Sequence, residues 1–592
     1  MVFGKHINRY YLRYAPALLM GLLTLVAVDV LQLRVPNLYQ MVINGINDGY
    51  VIQGGVQIPF DLEFLLDRIC MPLLAVIVCM VLGRFLWRVC FFGTAIRIER
   101  NLRDKMFDHI KDLSQSYYQQ NKIGNLMSLF TNDLDTVQEC VGWGIMMFFD
   151  AILMGALAVR KMWRMDGLLT VLSMIPMGLL LACSALIGRY MMKKWDARQE
   201  AFSRMSDFSQ ESFSGIAVIK AFVKEGLELL AFKKLNVENE KTNVAHTQAS
   251  VLLRVLVLLF VESVVCIILG YGGWLVHEGR FNAGQLVEFI GYFTTVVWPV
   301  MAVSELIDMT SRGKASLNRI SRLLDAEKEV DDRVDAVEAG TLRGDITVKN
   351  LTFRHPGGEY DVLKDISFTV TAGEQVGIVG RTGAGKTTLV DLLLRTYNVP
   401  DGTVFLDGKD VNSLTIAGVR ENFAYVPQDN FLFSDTIANN ILFGCEADAE
   451  SVEKVAKLAD VDENIRGFTG GYETVLGERG VTLSGGQKQR VSIARALMKD
   501  APILILDESV CAVDTATEKT ILENLRSTRQ GKTTILIAHR ISTVERMDKI
   551  LFLDDGCLVA CGDHKTLLDS CEAYRKMVQL QLLEEEGGEA DG

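Results

Sequence analysis

Six long apolar segments, all in the first half of the chain, constrain this sequence more than any other feature. A helix of about 20 apolar residues, rising roughly 1.5 Å per residue, is long enough to cross a bilayer. No comparable segment follows residue 310, where the sequence has the pattern of a soluble α/β protein. The 592-residue chain is therefore predicted to join a membrane domain to a soluble domain. The predicted spans are residues 15–35, 69–92, 140–160, 166–188, 252–276 and 283–306.

The basic residues between the spans indicate the orientation in the membrane. The N-terminus and the long connections at 97–139 and 188–254 hold 20 Lys and Arg residues, whereas the connections on the other side hold 4. Because basic connections stay in the cytoplasm, the N-terminus and both long connections are predicted to be cytoplasmic. Their helical periodicity predicts long helices that continue out of the membrane. The net charge of −12 argues against a nucleic acid partner, since phosphate binding needs a basic surface.

Charged residues inside the apolar segments have two interpretations. They could pair with each other between helices and fix the packing, or they could line a cavity for the substrate. Arg84 and Arg88 lie four residues apart and so share a helix face, and either could be the partner of Glu262. Both interpretations stay open at this stage. The residues concerned are Asp29, Arg84, Arg88, Asp150, Glu262 and Glu288.

A glycine-rich loop in the soluble half has the pattern of a phosphate-binding loop. A strand-like run at 376–379 leads into the loop, and the helical run 389–394 follows it. Glycines let backbone N–H groups turn toward phosphates, and the start of the helix adds its positive dipole end. Lys386 should reach the β- and γ-phosphates and Thr387 should bind Mg²⁺. The predicted ATP-binding residues of the loop are Thr382, Gly383, Ala384, Gly385, Lys386, Thr387 and Thr388.

Two adjacent acids end the apolar run 503–506 further along the chain. A buried strand with this pattern delivers carboxylates to the edge of the sheet where α/β proteins bind ligands. Asp507 suits Mg²⁺, directly or through water. Glu508 suits the base that orients and deprotonates the attacking water.

A second helix start with anion-binding character lies between these two motifs. Its residues Ser484, Gly485, Gly486 and Gln487 precede the helical run 491–497. A serine hydroxyl and free backbone N–H groups at a helix N-terminus bind anions. One chain thus has two phosphate-binding helix starts for what should be one nucleotide, which head-to-tail pairing of two chains would explain.

The order of these motifs resembles that of the ATP-binding cassette (ABC) transporters. It runs from the phosphate loop through Gln428, Ser484–Gln487, Asp507–Glu508 and Asp514 to His539. The fused membrane domain makes the whole chain similar to bacterial exporter half-transporters. The resemblance implies an α-helical membrane domain with six transmembrane helices and long cytoplasmic extensions, followed by an α/β P-loop cassette. The implied domains are a membrane domain at 1–325, a linker at 326–343, an ATP-binding cassette at 344–582 and an acidic tail at 583–592.

The resemblance also implies roles for further residues. Each of two ATP molecules would lie between two cassettes, held by one chain's phosphate loop and by Ser484, Gly485, Gly486 and Gln487 of the other chain. Gln428 would sense the γ-phosphate and Mg²⁺, and His539 would contact the γ-phosphate and the attacking water. Together with Glu508, they form the predicted catalytic set, and Thr387, Gln428 and Asp507 form the predicted Mg²⁺ set. The loop 474–480 would contact coupling helices near 116–124 and 215–222.

Two positions depart from the family pattern. His355 stands where the family usually has a tyrosine that stacks on adenine. An imidazole can also stack on adenine, with less contact area. The alternative is that His355 is an exposed loop residue without a role in binding. Cys511 lies in the loop that contacts the second cassette, where a buried small apolar residue is the other interpretation.

The resemblance implies a function and a partner. The function is ATP-driven export of a hydrophobic or amphipathic substrate, such as a drug, lipid or peptide, across the bacterial cytoplasmic membrane; an importer and an ATP-gated channel or regulatory subunit are the alternatives.

Residues 298–307, 312–317 and 509–515 look like one half of the heterodimeric multidrug exporters. In such halves the second acid is usually aspartate, whereas Glu508 could support two competent sites in a homodimer. A heterodimer is preferred because the likeness involves more residues than one carboxylate.

Overall fold

The protein is described by a computed structural model. The described residues are 3–53, 56–477, 480, 483–510 and 513–590, and the side chains of 52, 53, 56, 184–186, 188, 189, 304 and 584–590 are left out of this description. Cys511 and part of the loop 474–480 therefore lie outside the described residues. The chain divides into two compact units, one holding the membrane helices as far as Ala326 and the other holding the cassette from Glu327 onward.

Helices long enough to cross a membrane build the first unit. Five satisfy both length and apolar composition over the described residues, and α4 contains a shorter apolar stretch at Gly167–Cys183. The predicted fold class, a helical membrane domain followed by an α/β cassette, is confirmed. The helices are α1 (Ala15–Asp48), α2 (Leu62–Ile110), α3 (Ile123–Met165), α4 (Gly167–Ser214), α5 (Glu225–His277) and α6 (Ala283–Leu324).

Capping side chains determine where two of these helices begin. The Asp166 carboxylate accepts a hydrogen bond from the Leu169 backbone N–H at the start of α4. At the start of α6, the Asn282 side chain accepts from the Gln285 N–H, and the Gln285 side chain accepts from the Asn282 N–H. Such caps satisfy backbone donors that have no partner within the helix. Short elements around these helices are Asn8–Arg13, the hairpin β1 (Tyr50–Gln53) and β2 (Val56–Pro59), and Ile216–Ala221.

Three of the charged residues inside the membrane helices form hydrogen bonds with uncharged side chains. The Tyr292 hydroxyl donates to the Glu288 carboxylate at 2.7 Å, and Trp298 Nε1 donates to Asp150 at 2.9 Å. Arg84 donates to the Gln32 side chain at 3.1 Å, and the exposed Glu262 has no ion pair among the described residues. The predicted pairing of Glu262 with Arg84 or Arg88 is therefore absent from this part of the chain.

Helices α4 and α5 lie against each other over much of their length. Their outer faces stay strongly apolar and exposed within the single chain. Exposed apolar surface of this extent indicates contact with lipid or with another protein. The exposed residues include Tyr190, Met192, Phe202, Val251, Leu252, Val255, Leu258 and Leu259.

The second unit is built on two sheets. A six-stranded sheet has the order β12-β11-β5-β10-β9-β8, in which only β12 runs antiparallel to its neighbour. An antiparallel sheet has the order β4-β3-β6-β7. The strands are β3 (Ile346–Phe353), β4 (Leu363–Val370), β5 (Gln375–Gly380), β6 (Val404–Leu406), β7 (Lys409–Asp410), β8 (Phe423–Val426), β9 (Ile503–Asp507), β10 (Thr533–Ile537), β11 (Lys549–Asp554) and β12 (Cys557–Gly562).

Helices cover both faces of the six-stranded sheet, and the four that bear on the site are numbered. These are α7 (Lys386–Leu393), α8 (Gly485–Lys499), α9 (Thr515–Thr528) and α10 (Glu572–Ala590). Strands β5, β9 and β10 are almost wholly buried, as expected for parallel strands covered on both faces. Other helices of this unit are Ile416–Glu421, Ile437–Leu442, Ala449–Leu458, Asp462–Arg466, Ile541–Val544 and His564–Ser570.

Three segments differ from the predicted division of the chain into domains, linker and tail. Residues 112–122, inside the predicted membrane domain, group with the cassette. In the predicted linker, Ala339 and Leu342 are buried in the core of the cassette. The predicted acidic tail continues helix α10 as far as Ala590.

Candidate nucleotide site

The phosphate loop joins β5 to α7. Gly383 and Gly385 have φ values of +84° and +91°, a left-handed conformation that favours glycine. A Cβ on Gly385 would also lie 2.6 Å from the Leu363 side chain. Within this loop, the Lys386 ammonium donates to the carbonyls of Gly380 at 3.0 Å and Arg381 at 3.2 Å. The loop therefore forms a closed turn around a buried lysine at the start of a helix, the arrangement that binds phosphates.

The order of the parallel strands brings four motifs to one edge of the sheet. Strands β5, β10, β9 and β8 are neighbours in that order, with Ile378 paired with Ile537 and Ile537 paired with Asp507. The residues just beyond their carboxyl ends must therefore lie side by side. Those residues are the phosphate loop after β5, His539 after β10, Glu508 after β9 and Gln428 after β8.

Three side chains converge on Glu508. Gln428 Nε2 donates to one carboxylate oxygen at 2.7 Å, and His539 Nε2 lies 2.5 Å from the other. Lys386 lies 3.9 Å from the carboxylate. Glu508 has φ = +50°, a backbone conformation that costs a non-glycine residue free energy and that clusters at functional sites. The structure thus brings the three predicted catalytic residues into direct contact.

Asp507 lies beside this cluster and is fully buried. Neither carboxylate oxygen has a partner in full hydrogen-bond geometry among the described residues, although the Thr387 hydroxyl and the Tyr425 phenol lie beside it. Burial raises the pKa of Asp507. A buried carboxylate next to the Thr387 hydroxyl, with Gln428 bonded to the adjacent Glu508, offers the oxygen ligands that Mg²⁺ prefers. The residues present therefore fit this ion.

Two groups behind Asp507 were not predicted from the sequence. Burial, followed by the charge of Asp507, raises the pKa of Asp391 to about 6. The same two causes raise the pKa of Tyr425. Their polar character in otherwise apolar stretches was the only signal in the sequence, because their proximity to Asp507 depends on the pairing of β8 with β9.

His355 is half-buried next to the phosphate loop and packs against two buried aromatic rings. Its ring is 5.2 Å from Phe353 and 5.1 Å from Tyr397, and Nε2 is 3.3 Å from the Thr388 hydroxyl. Burial lowers the pKa of His355, which favours the neutral ring. The position beside Thr388 leaves the adenine contact a prediction, and the histidine is partly buried rather than fully exposed.

A short helix from the membrane-domain sequence contacts this aromatic group within the second unit. Gln119 on the helix Gln115–Gln120 donates to the Tyr397 hydroxyl at 2.9 Å. Ser114, just before that helix, donates to the Glu329 carboxylate at 2.9 Å. The sequence placed a coupling helix at 116–124, but it did not single out Gln119 or Tyr397.

The second anion-binding helix start stands apart from this cluster. The Ser484 hydroxyl accepts from the Gln487 N–H, and the Gln487 side chain accepts from the Ser484 N–H, which caps α8. Ser484 and Gly485 are exposed. Among the described residues, no hydrogen bond or ion pair joins Ser484–Gln487 to the phosphate loop, Glu508 or His539. The two predicted phosphate-binding helix starts therefore lie in separate places among the described residues.

A helical membrane domain and a phosphate-loop cassette with a buried acid pair define an ATP-driven membrane transporter. The family pattern described as "ABC transporter transmembrane region" matches residues 18–300, and that described as "ABC transporter" matches residues 363–510. The chain belongs to the ABC transporters, in the group of exporters that fuse a membrane domain to an ATP-binding domain.

Individual relatives extend over almost the whole chain. A probable multidrug resistance ABC transporter ATP-binding/permease protein, YheI of Bacillus subtilis (strain 168), is 35% identical over 589 residues, which are 99% of this chain and 98% of the relative. The multidrug resistance-like ATP-binding protein MdlA of Escherichia coli (strain K12) is 33% identical over 581 residues, 98% of this chain and 96% of that protein.

A solved structure has the same architecture. The structure of a bacterial Atm1-family ABC exporter with ATP bound is similar with a TM-score of 0.78 and 28% sequence identity, covering 97% of this chain and 99% of that chain. These findings identify the chain as a multi-pass membrane protein that binds ATP. It is an ATPase coupled to export, and it acts as a dimer. The importer and gated-channel alternatives are set aside.

Proposed function

We propose that this chain is one half of a dimeric exporter that moves hydrophobic or amphipathic molecules out across the bacterial cytoplasmic membrane. The observation that carries the proposal is the division of the ATP site. The phosphate loop, Glu508 and His539 converge in one place, while the exposed Ser484 and Gly485 lie apart from them, with no hydrogen bond to them among the described residues. Two chains paired head to tail would complete two ATP sites and give the exposed turn its ligand.

Each residue of the site has a proposed role in ATP hydrolysis. Lys386 and the loop N–H groups bind the β- and γ-phosphates. Thr387, Gln428 and Asp507 would hold Mg²⁺, which would neutralise charge that develops on the phosphates. Glu508 orients the attacking water and accepts its proton. His539 donates a hydrogen bond toward the γ-phosphate, and Gln428 senses its presence.

Transport follows from the preference of ATP for the paired cassettes. A nucleotide that touches both chains binds only when the cassettes are together, so its binding energy shifts the protein toward that state. Hydrolysis removes the bridging γ-phosphate and releases the cassettes. The contact of Gln119 with Tyr397 gives a route by which the cassette could pass this change to the helices.

A cavity in the membrane unit supports the proposed class of substrate. It has a volume of about 740 Å³ and is lined by residues of α4, α5 and α6, among them Met192, Trp195, His246 and Asp308. Methionine and tryptophan accept apolar molecules of varied shape. Asp308 pairs with Arg312, which also lines the cavity, so Asp196 is the lining carboxylate that can attract a positive charge. These contacts favour lipophilic substrates, including cationic ones.

The proposed partner is a second, different half-transporter. The tracts 298–307 and 509–515 support this preference, whereas Glu508 would permit two competent sites in a homodimer. Purification of the chain expressed alone separates the two. An inactive or unstable chain that a second half-transporter rescues would support the heterodimer. A stable dimer whose ATPase is stimulated by substrate would overturn it.

The proposed function as a whole is tested in inside-out vesicles that contain the exporter. ATP-dependent accumulation of a fluorescent lipophilic cation in the vesicle lumen is the expected result, and Trp195→Ala should reduce the stimulation of ATPase by that dye. Hydrolysis without accumulation of lipophilic cations, neutral amphiphiles or lipids would contradict the proposed substrate class.

A further inference from the structure

The last helix of the chain is firmly anchored on the cassette. Tyr574, in its first turn, is fully buried, and its ring centre lies 5.7 Å from that of Phe552 on β11. The Tyr574 hydroxyl is 2.8 Å from His564 Nδ1. Val578, one turn further along α10, is also buried in the same core. A helix held by these contacts can place its next side chains with little freedom.

Gln581 extends from this anchored helix to the loop after β10. Its Nε2 donates to the backbone carbonyl of His539 at 2.6 Å, and its Oε1 accepts from the backbone N–H of Ile541 at 2.9 Å. The amide is used as donor and acceptor at once, so rotation of the amide by half a turn would break both bonds. One side chain therefore fixes the backbone on both sides of Arg540.

This loop has little other support from the sheet. Strand β10 ends at Ile537, and the Ala538 N–H still donates to the Ile378 carbonyl at 3.2 Å. His539 comes next, with Nε2 at 2.5 Å from Glu508. Because the side chain of His539 must reach Glu508 from a residue beyond the strand, the backbone at 539–541 decides where the imidazole lies.

We propose that Gln581 is a positioning residue for ATP hydrolysis: it holds the His539 loop so that the imidazole faces Glu508 and the γ-phosphate. The inference rests on the role proposed above for His539. It assigns a function to the carboxyl-terminal helix, whose described side chains make no hydrogen bond or ion pair with the phosphate loop or the acid pair, and it makes the rate of hydrolysis depend on how that helix is docked.

The test uses the full-length exporter with Gln581→Met, which keeps the length of the side chain and removes both hydrogen bonds. Gln579→Met is the matched control, because Gln579 lies on the exposed side of the same helix. We expect kcat for ATP hydrolysis to fall about 5- to 30-fold in Gln581→Met, the range that the loss of one or two buried hydrogen bonds predicts. The KM for ATP should change less than about 2-fold, since the phosphate loop is untouched, and Gln579→Met should behave as wild type.

A double-mutant cycle separates positioning from a general loss of stability. In a His539→Ala background, Gln581→Met should slow residual hydrolysis little further, because the group that it positions is gone. An equal fractional loss in both backgrounds, or wild-type kcat in Gln581→Met, would overturn the inference. Near-normal hydrolysis by His539→Ala alone would instead overturn the proposed role of His539. The two failures are therefore distinguishable.

Discussion

Substitution of Glu508 by glutamine tests the chemistry of the site most directly. Glutamine keeps the shape of the side chain and can still accept from Gln428 at the observed 2.7 Å, but it cannot take a proton from water. General-base catalysis contributes about 10²- to 10⁴-fold, which corresponds to about 2.7–5.4 kcal/mol of transition-state stabilisation. We therefore expect kcat to fall by that factor while ATP affinity is retained.

Retained affinity has a second consequence for the dimer. If ATP binds between two cassettes and is not hydrolysed, the cassettes should remain together. In Glu508→Gln, crosslinking between cassettes should increase. Labelled ATP should also be released more slowly than from the wild-type protein. Glu508→Asp is the matched control: its carboxylate is one methylene further from His539 and from the water, so it should lose part of the rate and show less trapping.

The measurement requires that every copy of this chain in the dimer carries the substitution, since a wild-type site could hydrolyse ATP alone. A partner half-transporter, if present, must carry the equivalent change. Turnover within about 3-fold of wild type under these conditions, far less than the loss of a general base predicts, would refute the role of Glu508 as the base.

Three further predictions concern residues around this cluster. Lys386→Ala should weaken ATP binding about 10- to 100-fold, because charge-assisted hydrogen bonds to phosphate are lost; unchanged affinity in a nucleotide-binding assay would contradict the phosphate assignment. Asp391→Asn should stabilise the nucleotide-free protein by about 1–3 kcal/mol at pH 7. The pKa of this carboxyl is raised to about 6 in the folded protein, so the folded state loses stability as the pH rises from about 4 through about 6; thermal unfolding should show a clearly larger gain at pH 7 than at pH 4.5, where only part of this stability has been lost. Tyr397→Phe should reduce substrate stimulation of ATPase about 2- to 10-fold, since the hydroxyl that bonds Gln119 is removed while the ring contact with His355 is kept; equal stimulation in variant and wild type would contradict a coupling role.

Much of the architecture is determined locally in the sequence. A run of about 20 apolar residues in a membrane must satisfy its backbone within a helix, so the positions of five of the predicted spans follow from composition, and the fourth has a shorter apolar stretch at Gly167–Cys183. The glycines around Lys386 are likewise a local requirement, because the loop needs left-handed backbone at Gly383 and Gly385. The sequence alone therefore identified both domains and the phosphate loop.

Contacts between distant residues depended on the tertiary structure. The sequence predicted Gln428, Glu508 and His539 as separate catalytic residues. Their convergence depends on the order of β8, β9 and β10 in the sheet, which no local pattern specifies. The same reason explains why the candidate pairing of Glu262 with Arg84 or Arg88 is absent from the described residues, since Arg84 finds a partner in Gln32 on a neighbouring helix.

The domain boundaries also depend on contacts that the local sequence does not specify. Residues 326–343 have the composition of a linker, yet Leu342 is buried because the cassette offers an apolar surface to it. Gln581 is an ordinary polar residue on a charged helix, and only the docking of α10 gives it both the His539 carbonyl and the Ile541 N–H. Local chemistry determined which segments form helices, strands and the phosphate loop, whereas packing between distant segments decided which polar groups meet.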